Sequence, residues 1–485
     1  MPVNPSDISS FQDAVVTVMG LGAYTQGSGI GAGKWLMRHG AQLVITDLKT
    51  EEELRESVGE ISKWYETYRA QFPDRTIYQP VFALAEHRAQ DFTDVDLVVQ
   101  NPGVPRESEF ILLAREHGVP VESDMSLFFR HCPFPIYAIT GTRGKSTTTA
   151  LLGEMFKAVN PKSVVAGNIT RSPLEDLDAL LTETAPVPVV LEMSSWLIES
   201  LESVDRGPDI GVLTNIFADH LNRYPSLEAY AESKLQLFRH CKPGQKPVLN
   251  ADHEMVRAMA DKIGCQKFWF SEQASEAKNG VFLRDGQIVC AVEGVEHVLG
   301  DTATMALQGK HNLLNALAAS LAAHLAGIPA DVISAALKTF QGLPGRQEIA
   351  KEVRGVAYVN DTTATSPDGV IAALDRFGKT KRAVLICGGS TKGLPYAEMG
   401  KKVAKTCKFV VYLDGTATAD IQAAIGGSVP SVVATSMEDA VKLAAKGAEE
   451  GDTVILSPGA ASFGMFKNEF DRGEQFVEAV KKIKE

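Results

Sequence analysis

Short apolar runs alternate with longer amphipathic stretches along almost the whole chain. Near the start, residues 14–19 (AVVTVM) and 42–46 (QLVIT) have the composition of buried strands, and residues 34–39 between them are predicted to be helical. Further short strands are predicted at residues 97–99 and 119–122. Strands that alternate with helices in this way form parallel sheets covered by helices. The pattern therefore predicts an α/β protein.

Two proline-containing turns interrupt this pattern. Residues 132–135 (CPFP) cannot continue a helix and precede a predicted strand, and residues 342–345 (GLPG) precede another. A chain of 485 residues also has the length of about three domains. The predicted domains are residues 1–133, 134–341 and 342–485.

Composition and charge narrow the classes of partner. Lys and Arg total 48 against 60 Asp and Glu, a net charge of -12, which argues against a general binder of nucleic acid or anionic membranes. There is no basic and apolar leader and no apolar window of membrane-spanning length, so no membrane insertion is predicted. The six cysteines form no C-x-x-C pair and are predicted to be reduced thiols. We therefore expect a cytoplasmic protein whose partners are small molecules.

The segment 136–149 (IYAITGTRGKSTTT) combines a predicted strand, a glycine-containing turn and the start of a helix. Gly141 and Gly144 would let backbone N–H groups close around phosphate oxygens, and the helix N-terminus adds positive potential. Lys145 would neutralise the outer phosphates. The alternative is an ordinary glycine turn with a solvated lysine, but the order of strand, turn and helix favours a nucleoside triphosphate enzyme.

The same segment offers ligands for magnesium, through a hydroxyl of Ser146 or Thr147. One position departs from the common phosphate loop. That loop has glycine five residues before its Gly-Lys pair, where this chain has Ile139.

Polar residues follow two further predicted strands of the middle domain. Glu192 lies in the strand at residues 189–193, and His220 follows the strand at residues 210–215. Alone, such a glutamate is more often a helix cap and such a histidine more often a packed residue. Their joint placement behind a phosphate loop favours a divalent ion. Lys234, in the next predicted helix, would by itself pass for a solvated charge.

These residues belong to a series of motifs that spans all three predicted domains. The motifs are TGTRGKST (140–147), GNIT (167–170), LEMSSW (191–196), TNIFADHLNRY (214–224), GKHNLLNALAA (309–319), LPGRQE (343–348), VNDTTATSP (359–367) and LSPGAASFGMFKN (456–468). The set and its order resemble the Mur ligase family of ATP-dependent amide-forming enzymes of bacterial cell-wall synthesis.

The resemblance implies three α/β domains. A Rossmann-like N-terminal domain would hold the UDP end of an acceptor, a P-loop-type central domain would hold ATP and metal, and a Rossmann-like C-terminal domain would bring the amino acid. Within the family, the GLG turn (20–22), the NPGVP run (101–105) and the closing SPGAASFGMFKN are most similar to members that add D-glutamate to UDP-N-acetylmuramoyl-L-alanine in peptidoglycan precursor synthesis. In such members ATP converts the acceptor carboxylate into an acyl phosphate, which the amino group then attacks. The resemblance also implies a monomer and two Mg²⁺ ions.

Position by position, the resemblance assigns roles to single residues. The implied catalytic residues are Lys145, His220 and Lys234, with His220 orienting or ligating rather than acting as a base. The implied nucleotide contacts are Gly141, Thr142, Gly144, Lys145, Ser146, Thr147, Asn312, Arg346 and Asp361. The implied metal ligands are Ser146, Glu192, His220 and Lys234, the last as a carbamate. The implied substrate contacts are Asp47, Asn168, Ser194, Thr365, Lys392 and Ser462.

Two positions depart from the family pattern near the amino-acid pocket. Thr363 stands where the family usually has lysine, and Glu469 stands where the D-glutamate-adding members usually have an aromatic residue. With one lysine fewer and one glutamate more near this pocket, binding of a dicarboxylic amino acid such as D-glutamate is less favoured. L-glutamate or another amino acid therefore remains an alternative.

The glycine-rich segment near the N-terminus leaves a second function open. Residues 27–32 (GSGIGA) fit the G-x-G-x-x-A fingerprint, and Asp47 stands where a ribose-binding acid is expected, so an NAD(P)-dependent oxidoreductase is the alternative. It would leave the phosphate loop, Glu192 and His220 unused. Residues 24–33 are longer than the usual family turn, with a flexible surface insertion as the structural alternative, and no uridine contacts are assigned there. The intact phosphate and metal positions disfavour a non-catalytic regulator.

Overall fold

The computed structural model describes residues 3–22, 25–168, 171–220, 223–273, 279–378 and 381–483. Tyr24 of the glycine-rich segment and the motif residues 169–170 and 221–222 lie outside these ranges. The chain divides into two compact units. The first unit is Met1–Met305 with Leu314–Thr339, and the second unit is Ala306–Leu313 with Phe340–Glu485.

The first unit begins with a five-stranded parallel sheet of strand order β3-β2-β1-β4-β5. Its elements are β1 (Val15–Met19), α1 (Ser28–Arg38), β2 (Gln42–Asp47), α2 (Arg55–Gln71), β3 (Val81–Leu84), α3 (Gln90–Thr93), β4 (Leu97–Gln100), α4 (Glu109–Glu116), β5 (Val121–Glu122) and α5 (Asp124–His131). The strands and helices predicted in this part of the chain are confirmed, although α1 begins six residues before the predicted start at residue 34 and β5 begins two residues after the predicted start at residue 119.

The first unit continues with a nine-stranded sheet of order β14-β13-β12-β11-β10-β9-β6-β8-β7. Its strands are β6 (Ile136–Thr140), β7 (Val164–Gly167), β8 (Val189–Glu192), β9 (Ile210–Leu213), β10 (Lys246–Asn250), β11 (Phe268–Phe270), β12 (Gly280–Arg284), β13 (Gln287–Val292) and β14 (Val295–Asp301). The accompanying helices are α6 (Lys145–Val159), α7 (Leu174–Thr182), α8 (Ser195–Glu199), α9 (Leu227–Leu235), α10 (Glu254–Met259), α11 (Lys310–Leu325) and α12 (Ala330–Thr339). The first four residues of α11, 310–313, are assigned to the second unit. The last three strands are antiparallel neighbours, an edge that the sequence pattern does not predict.

The second unit contains a six-stranded sheet of order β15-β16-β20-β17-β18-β19, in which only β15 runs antiparallel to its neighbour. Its strands are β15 (Glu348–Val353), β16 (Val356–Asn360), β17 (Ala383–Gly388), β18 (Cys407–Leu413), β19 (Ser431–Ala434) and β20 (Thr453–Leu456). Its helices are α13 (Pro367–Phe377), α14 (Ala397–Thr406), α15 (Thr418–Ile425), α16 (Met437–Gly447) and α17 (Glu469–Lys481). The predicted α/β class is confirmed. Each predicted domain contains one sheet, although the boundary positions themselves stay a prediction.

The strands at the centre of these sheets are buried on both faces. Every residue of β6 and of β17 is buried, as expected when helices cover both sides of a parallel sheet. This burial explains why such strands are continuous apolar runs rather than alternating ones. In the described part of the chain, no helix combines the length and the apolar character needed to cross a membrane.

The start of α1 packs closely against its neighbours. A Cβ on Gly29 would lie 2.5 Å from the carbonyl oxygen of Gly20, and a Cβ on Gly31 would lie 2.3 Å from the Cβ of Ser172. Neither position leaves room for a side chain. The described part of the glycine-rich segment is therefore a turn followed by a packed helix, which excludes the alternative of a flexible surface insertion there. Glycines that allow close packing have the same composition as glycines in a loop.

The other end of α1 binds α7 through one carboxylate. Asp178 accepts hydrogen bonds from Trp35 Nε1 at 3.0 Å and from Arg38 Nε at 2.5 Å, and it lies 2.8 Å from His39 Nε2. Burial alone would raise the pKa of Asp178, but the hydrogen bond from His39 and the charge of Arg38 together outweigh it and lower the pKa. These contacts join a helix of the five-stranded sheet to a helix of the nine-stranded sheet, which explains why both sheets belong to one unit.

The cysteines differ from their prediction at two positions. Cys241 and Cys265 form a disulfide with a Cα–Cα distance of 5.9 Å. The expectation of six reduced thiols is therefore wrong for this pair, because the pairing depends on tertiary position and not on local spacing. The remaining cysteines are free and buried: Cys132, Cys290, Cys387 and Cys407.

We predict that a methyl group at Gly31 destabilises the first unit, because it would overlap the side chain of Ser172. Gly31→Ala should lower the free energy of unfolding by about 1–3 kcal/mol, as overpacking does. Gly59→Ala is the matched control, since Gly59 also lies in a helix but a Cβ there would meet nothing within 4 Å. The control should raise stability by about 0.5–1 kcal/mol through helix propensity. Urea unfolding followed by tryptophan fluorescence measures both, and equal effects would contradict the packing argument.

Candidate active site

The phosphate-loop segment forms a tight turn between β6 and α6. Gly144 caps α6 with a left-handed backbone (φ 81°), and Gly141 also has a positive φ. A Cβ on Gly141 would lie 1.9 Å from Thr214 Oγ1, and a Cβ on Gly144 would lie 2.1 Å from Asn315 Oδ1. Both positions therefore require glycine, for backbone conformation and for space.

The end of β9 holds this loop in place. Asn215 accepts hydrogen bonds from two loop N–H groups, from Thr142 through its carbonyl oxygen at 2.9 Å and from Arg143 through Oδ1 at 2.8 Å. Thr214 Oγ1 donates to the carbonyl of Arg143 at 2.7 Å. Lys145 folds over the loop, with Nζ donating to the carbonyl oxygens of Gly141 and Thr142 at 3.0 and 3.1 Å. The loop is thus a fixed cradle at the carboxyl end of its sheet.

Glu192, at the end of β8, has one satisfied and one unsatisfied oxygen. Its Oε1 accepts a hydrogen bond from Asn168 Nδ2 at 2.9 Å. Its Oε2 is buried and has no hydrogen-bond partner among the described residues, in a side chain that is only 2% exposed. A buried oxygen without a donor is costly, and a cation placed beside it would remove that cost. The position therefore fits a metal ligand.

Lys234 lies on α9 and is 1% exposed. Its Nζ lies 4.5 Å from the ring centre of Tyr230. Burial, and then the positive charge of Lys145, lower the pKa of Lys234 well below its usual value, while Asp219 and Glu192 act in the opposite direction. The neutral amine, which is nucleophilic, is therefore much more accessible here than in a solvated lysine.

His220 belongs to the same neighbourhood and has a positive φ of 53°. Its ring lies 5.4 Å from that of Trp196 and 6.2 Å from that of Tyr230. Its Nε2 is 4.0 Å from a carboxylate oxygen of Asp219. The aromatic rings thus connect His220 to the helix that carries Lys234.

Within the described ranges, no three His, Cys, Asp or Glu side chains are grouped to hold a metal ion. The predicted ligand set contains only two such residues, Glu192 and His220. A complete set would therefore need Ser146, which is buried at the start of α6, and a carboxylate added to Lys234.

The other predicted substrate residues of the first unit have structural partners. Asp47 accepts backbone hydrogen bonds from Leu21 at 2.9 Å and from Lys49 at 3.0 Å. Ser194 caps α8 and accepts from the N–H of Leu197 at 3.3 Å. Asp47 and Ser194 therefore fix the loops at the carboxyl ends of β2 and β8, where open sheets bind ligands.

The predicted nucleotide contacts of the second unit centre on Asp361, which follows β16. Its carboxylate accepts hydrogen bonds from Ser457 Oγ at 2.8 Å and from the N–H of Gln347 at 3.2 Å. Burial raises the pKa of Asp361 to about 7, although these hydrogen bonds and the charge of Arg346 oppose the rise. Asn312 is buried and donates from Nδ2 to the carbonyl of Gln308 at 2.9 Å.

The predicted amino-acid contacts also lie in the second unit. Lys392 Nζ donates to Thr365 Oγ1 at 2.9 Å. Ser462 is buried in the loop that follows β20. Thr363, the position without the family lysine, donates from its hydroxyl to the carbonyl of Gly345 at 3.1 Å. Glu469 begins α17.

Sequence reasoning missed several residues that contribute to these arrangements. Asn315 lies against Gly144, and its only signal is its place one helical turn after Asn312. Arg143 Nη1 lies 3.5 Å from Asp219 Oδ2. The charges of both residues act on the pKa of Lys234, which Asp219 raises and Arg143 lowers. Their motifs were recognised, but position in a motif does not reveal which side chains share a buried electrostatic environment.

Comparison with known families and relatives covers nearly the whole chain. The Mur ligase middle domain matches residues 139–323, and the Mur ligase, glutamate ligase domain matches residues 345–459. A UDP-N-acetylmuramoylalanine-D-glutamate ligase of Roseiflexus sp. (strain RS-1) is 41% identical over 470 residues, which cover 95% of this chain and 96% of that protein. The enzyme of the same name from Thermoanaerobacter pseudethanolicus (strain ATCC 33223 / 39E) is 36% identical, with 97% and 98% covered.

Solved structures of lower identity share the fold. The UDP-N-acetylmuramate-alanine ligase MurC of Thermotoga maritima is 20% identical with a TM-score of 0.58, over 97% of this chain and all of that chain. A MurF of Acinetobacter baumannii is 14% identical with a TM-score of 0.60, over 99% of both chains. Sequence identity, family matches and fold agree, and this chain belongs to the Mur ligase family.

Proposed function

We propose that the chain is an ATP-dependent ligase that joins D-glutamate to UDP-N-acetylmuramoyl-L-alanine. The near full-length identity of 41% with a relative named for that reaction supports this substrate pair. The glycine cradle beside Lys145 and the unsatisfied oxygen of Glu192 support ATP and magnesium as the activating groups. Action as a cytoplasmic monomer stays a prediction.

ATP and Mg²⁺ fit residues of the first unit. The loop from Gly141 to Ser146 would hold the phosphates, and Glu192, His220 and Ser146 would hold magnesium. When bound, ATP supplies the phosphoryl group that activates the acceptor carboxylate, and Mg²⁺ offsets the negative charge. Lys145 would contribute a fixed positive charge beside the phosphates, where several anionic groups must come together.

Lys234 would supply a further magnesium ligand as a carbamate. Loss of one proton from the ammonium group gives the neutral amine. Addition of CO₂ to that amine then forms an N–C bond and releases a second proton, so that a buried cation becomes a carboxylate. The lowered pKa favours this step, because only the neutral amine can attack CO₂. The carbamate would also turn an unfavourable neighbour of Lys145 into a favourable one.

The amino acid would be held in the second unit by Thr365, Lys392 and Ser462. Lys392 would provide a cation for a carboxylate of glutamate. Thr363 and Glu469 make this pocket less cationic than the usual family pattern, so L-glutamate or another amino acid is the alternative. Measuring kcat/KM for different amino acids distinguishes D-glutamate from these alternatives.

An oxidoreductase built on the first sheet finds less support. Gly29 and Gly31 are needed for packing against the protein itself. Both oxygens of Asp47 accept hydrogen bonds from backbone N–H groups, so its carboxylate already stabilises the local turn. These roles account for the fingerprint residues without a dinucleotide.

The proposed reaction predicts coupled release of phosphate. The purified protein should release phosphate from ATP only when UDP-N-acetylmuramoyl-L-alanine and an amino acid are both present, since the acyl phosphate needs an acceptor to form and an amine to resolve. A panel of L- and D-amino acids, read by phosphate release and product mass, should give D-glutamate the highest kcat/KM. Equal ATP hydrolysis without acceptor or amino acid would rule out the ligase.

Removal of the Lys234 amine should abolish most activity. We expect Lys234→Ala to lower kcat by at least about 100-fold, the size of losing one preorganised electrostatic group. A short carboxylate such as formate should restore part of it by occupying the space of the carbamate. The matched control is Lys242→Ala, whose side chain is 58% exposed. Full activity of Lys234→Ala, or a ¹³CO₂-derived NMR signal that persists in it, would remove Lys234 from this role.

The raised pKa of Asp361 predicts a pH-dependent loss of stability. Folded Asp361 keeps its proton up to about pH 7, whereas the unfolded carboxyl loses it near its usual value of 3.8. The folded state therefore binds more protons in this window, so this group lowers stability as pH rises from about 4 to 7. Asp361→Asn should remove up to about 4 kcal/mol of that decline. The free energy of unfolding is measured by urea unfolding at several pH values, followed by circular dichroism. The matched control is Asp414→Asn at an exposed position. Parallel pH profiles for wild type and Asp361→Asn would contradict the argument.

A further inference from the structure

Arg472 is a charged side chain that is 0% exposed. It lies in the first turn of α17, after a helix start at which Asn468 Oδ1 accepts from the N–H groups of Phe470 and Asp471. No carboxylate of the described residues forms an ion pair with Arg472. Burial lowers the pKa of its guanidinium to about 10, with Glu469 opposing the shift, so the group remains a cation at neutral pH.

The guanidinium connects two loops of the second unit. Its Nε donates to Thr362 Oγ1 at 3.1 Å and its Nη2 to the Thr362 carbonyl at 2.7 Å, while its Nη1 donates to the carbonyl of Ala460 at 3.2 Å. Thr362 follows β16, and Ala460 follows β20, its parallel neighbour in the sheet. The planar fork therefore fixes the separation of two loops at the carboxyl ends of adjacent strands.

These two loops carry the candidate amino-acid contacts. Thr365 comes three residues after Thr362, and Ser462 comes two residues after Ala460. The N–H of Gly459 also donates to the carbonyl of Ala364 at 2.8 Å, which links the loops a second time. Movement of the guanidinium would therefore change the spacing between the Thr365 and Ser462 hydroxyls.

The close packing of α17 makes this arrangement rigid. A Cβ on Gly473 would lie 2.6 Å from Thr362 Cγ2, so the helix rests directly on the first loop. Thr362 also donates from Oγ1 to the carbonyl of Glu469 at 2.7 Å. Arg472 and Gly473 together hold the loop against the start of the helix.

Arg472 is buried without an ion-pair partner among the described residues, although the charge of Glu469 acts on it. Removing a cation from water without a carboxylate partner is costly, and carbonyl and hydroxyl oxygens offset only part of that cost. In the low dielectric of the interior its positive potential also extends further than in water. A dianionic ligand beside these loops would meet this potential, and Thr363 supplies no lysine charge of its own.

We propose that Arg472 is a positioning residue for the incoming amino acid. It holds the loops that carry Thr365 and Ser462 at the spacing needed to bind the amino acid, and its positive charge favours an amino acid with two carboxylates. This inference rests on the proposed ligase function.

The test compares Arg472→Met and Arg472→Lys in the full-length protein, with Arg354→Met as the control at an exposed arginine of the same unit. KM is measured separately for D-glutamate, ATP and the UDP-linked acceptor. Arg472→Met should raise the KM for D-glutamate at least about tenfold and leave the other two KM values within about twofold, because a shift of reactive groups is felt mainly at the ligand they hold. Arg472→Lys should recover part of this loss through its charge. The preference for D-glutamate over D-glutamine should fall in Arg472→Met.

An unchanged KM for D-glutamate in folded Arg472→Met, or an equal rise in all three KM values, would overturn the proposal. If circular dichroism shows that Arg472→Met does not fold, the KM for D-glutamate is measured in Thr362→Val instead. This variant keeps the cation but removes the hydroxyl that accepts from Nε, and it should raise the KM for D-glutamate about fivefold, the size of losing one ordinary hydrogen bond. A wild-type KM in Thr362→Val would overturn the proposal. A wild-type protein that joins no amino acid to the acceptor would instead overturn the ligase function, and this inference with it.

Discussion

The absence of a Cβ at Gly141 and Gly144 is the constraint on which the first-unit site depends. Thr214 and Asn315 occupy the space that side chains would take, so the turn can close only with glycine. That closure sets where α6 begins and therefore where Lys145 is placed. The hydrogen bonds from the loop to Asn215 then fix it relative to β9. The side chains of Thr214 and Asn315 thus leave room only for glycine, and this close contact determines how the loop, Lys145 and the sheet edge are arranged.

Buried ionisable groups occur in both units at the carboxyl ends of strands or on helices beside them. Glu192 and Lys234 are buried in the first unit, and Asp361 and Arg472 in the second. Each carries a desolvation cost that the surrounding protein only partly offsets. The proposed ligands are anions and cations that would complete these environments. The net charge of -12 therefore says little about binding, because the local arrangement of a few charges dominates.

Much of the fold could be predicted from the sequence, because continuous apolar runs report burial on both faces of a parallel sheet. The glycine turn between β6 and α6 could equally be predicted, since its geometry depends on residues adjacent in sequence. The packed start of α1, the Cys241–Cys265 pair and the buried contacts of Arg472 could not be predicted, because each depends on partners distant in the chain. The burial of Lys234 also could not be predicted from the local sequence. The apolar residues of α9 show no helical periodicity that would distinguish a buried lysine from a solvated one. Local pattern predicts elements, whereas tertiary neighbours decide which polar residues are charged, paired or buried.

The position of Trp196 beside His220 has a consequence for observing the protein. All four tryptophans, Trp35, Trp64, Trp196 and Trp269, belong to the first unit, whereas the second unit contains none. Intrinsic tryptophan emission therefore reports on the first unit alone. Trp196 also lies 5.0 Å from the guanidinium carbon of Arg223, so its indole sits among charged groups to which emission is sensitive. Trp196 is thus a native fluorescent probe next to the proposed metal ligands. The second unit, which carries the proposed amino-acid contacts, adds no tryptophan emission to its signal.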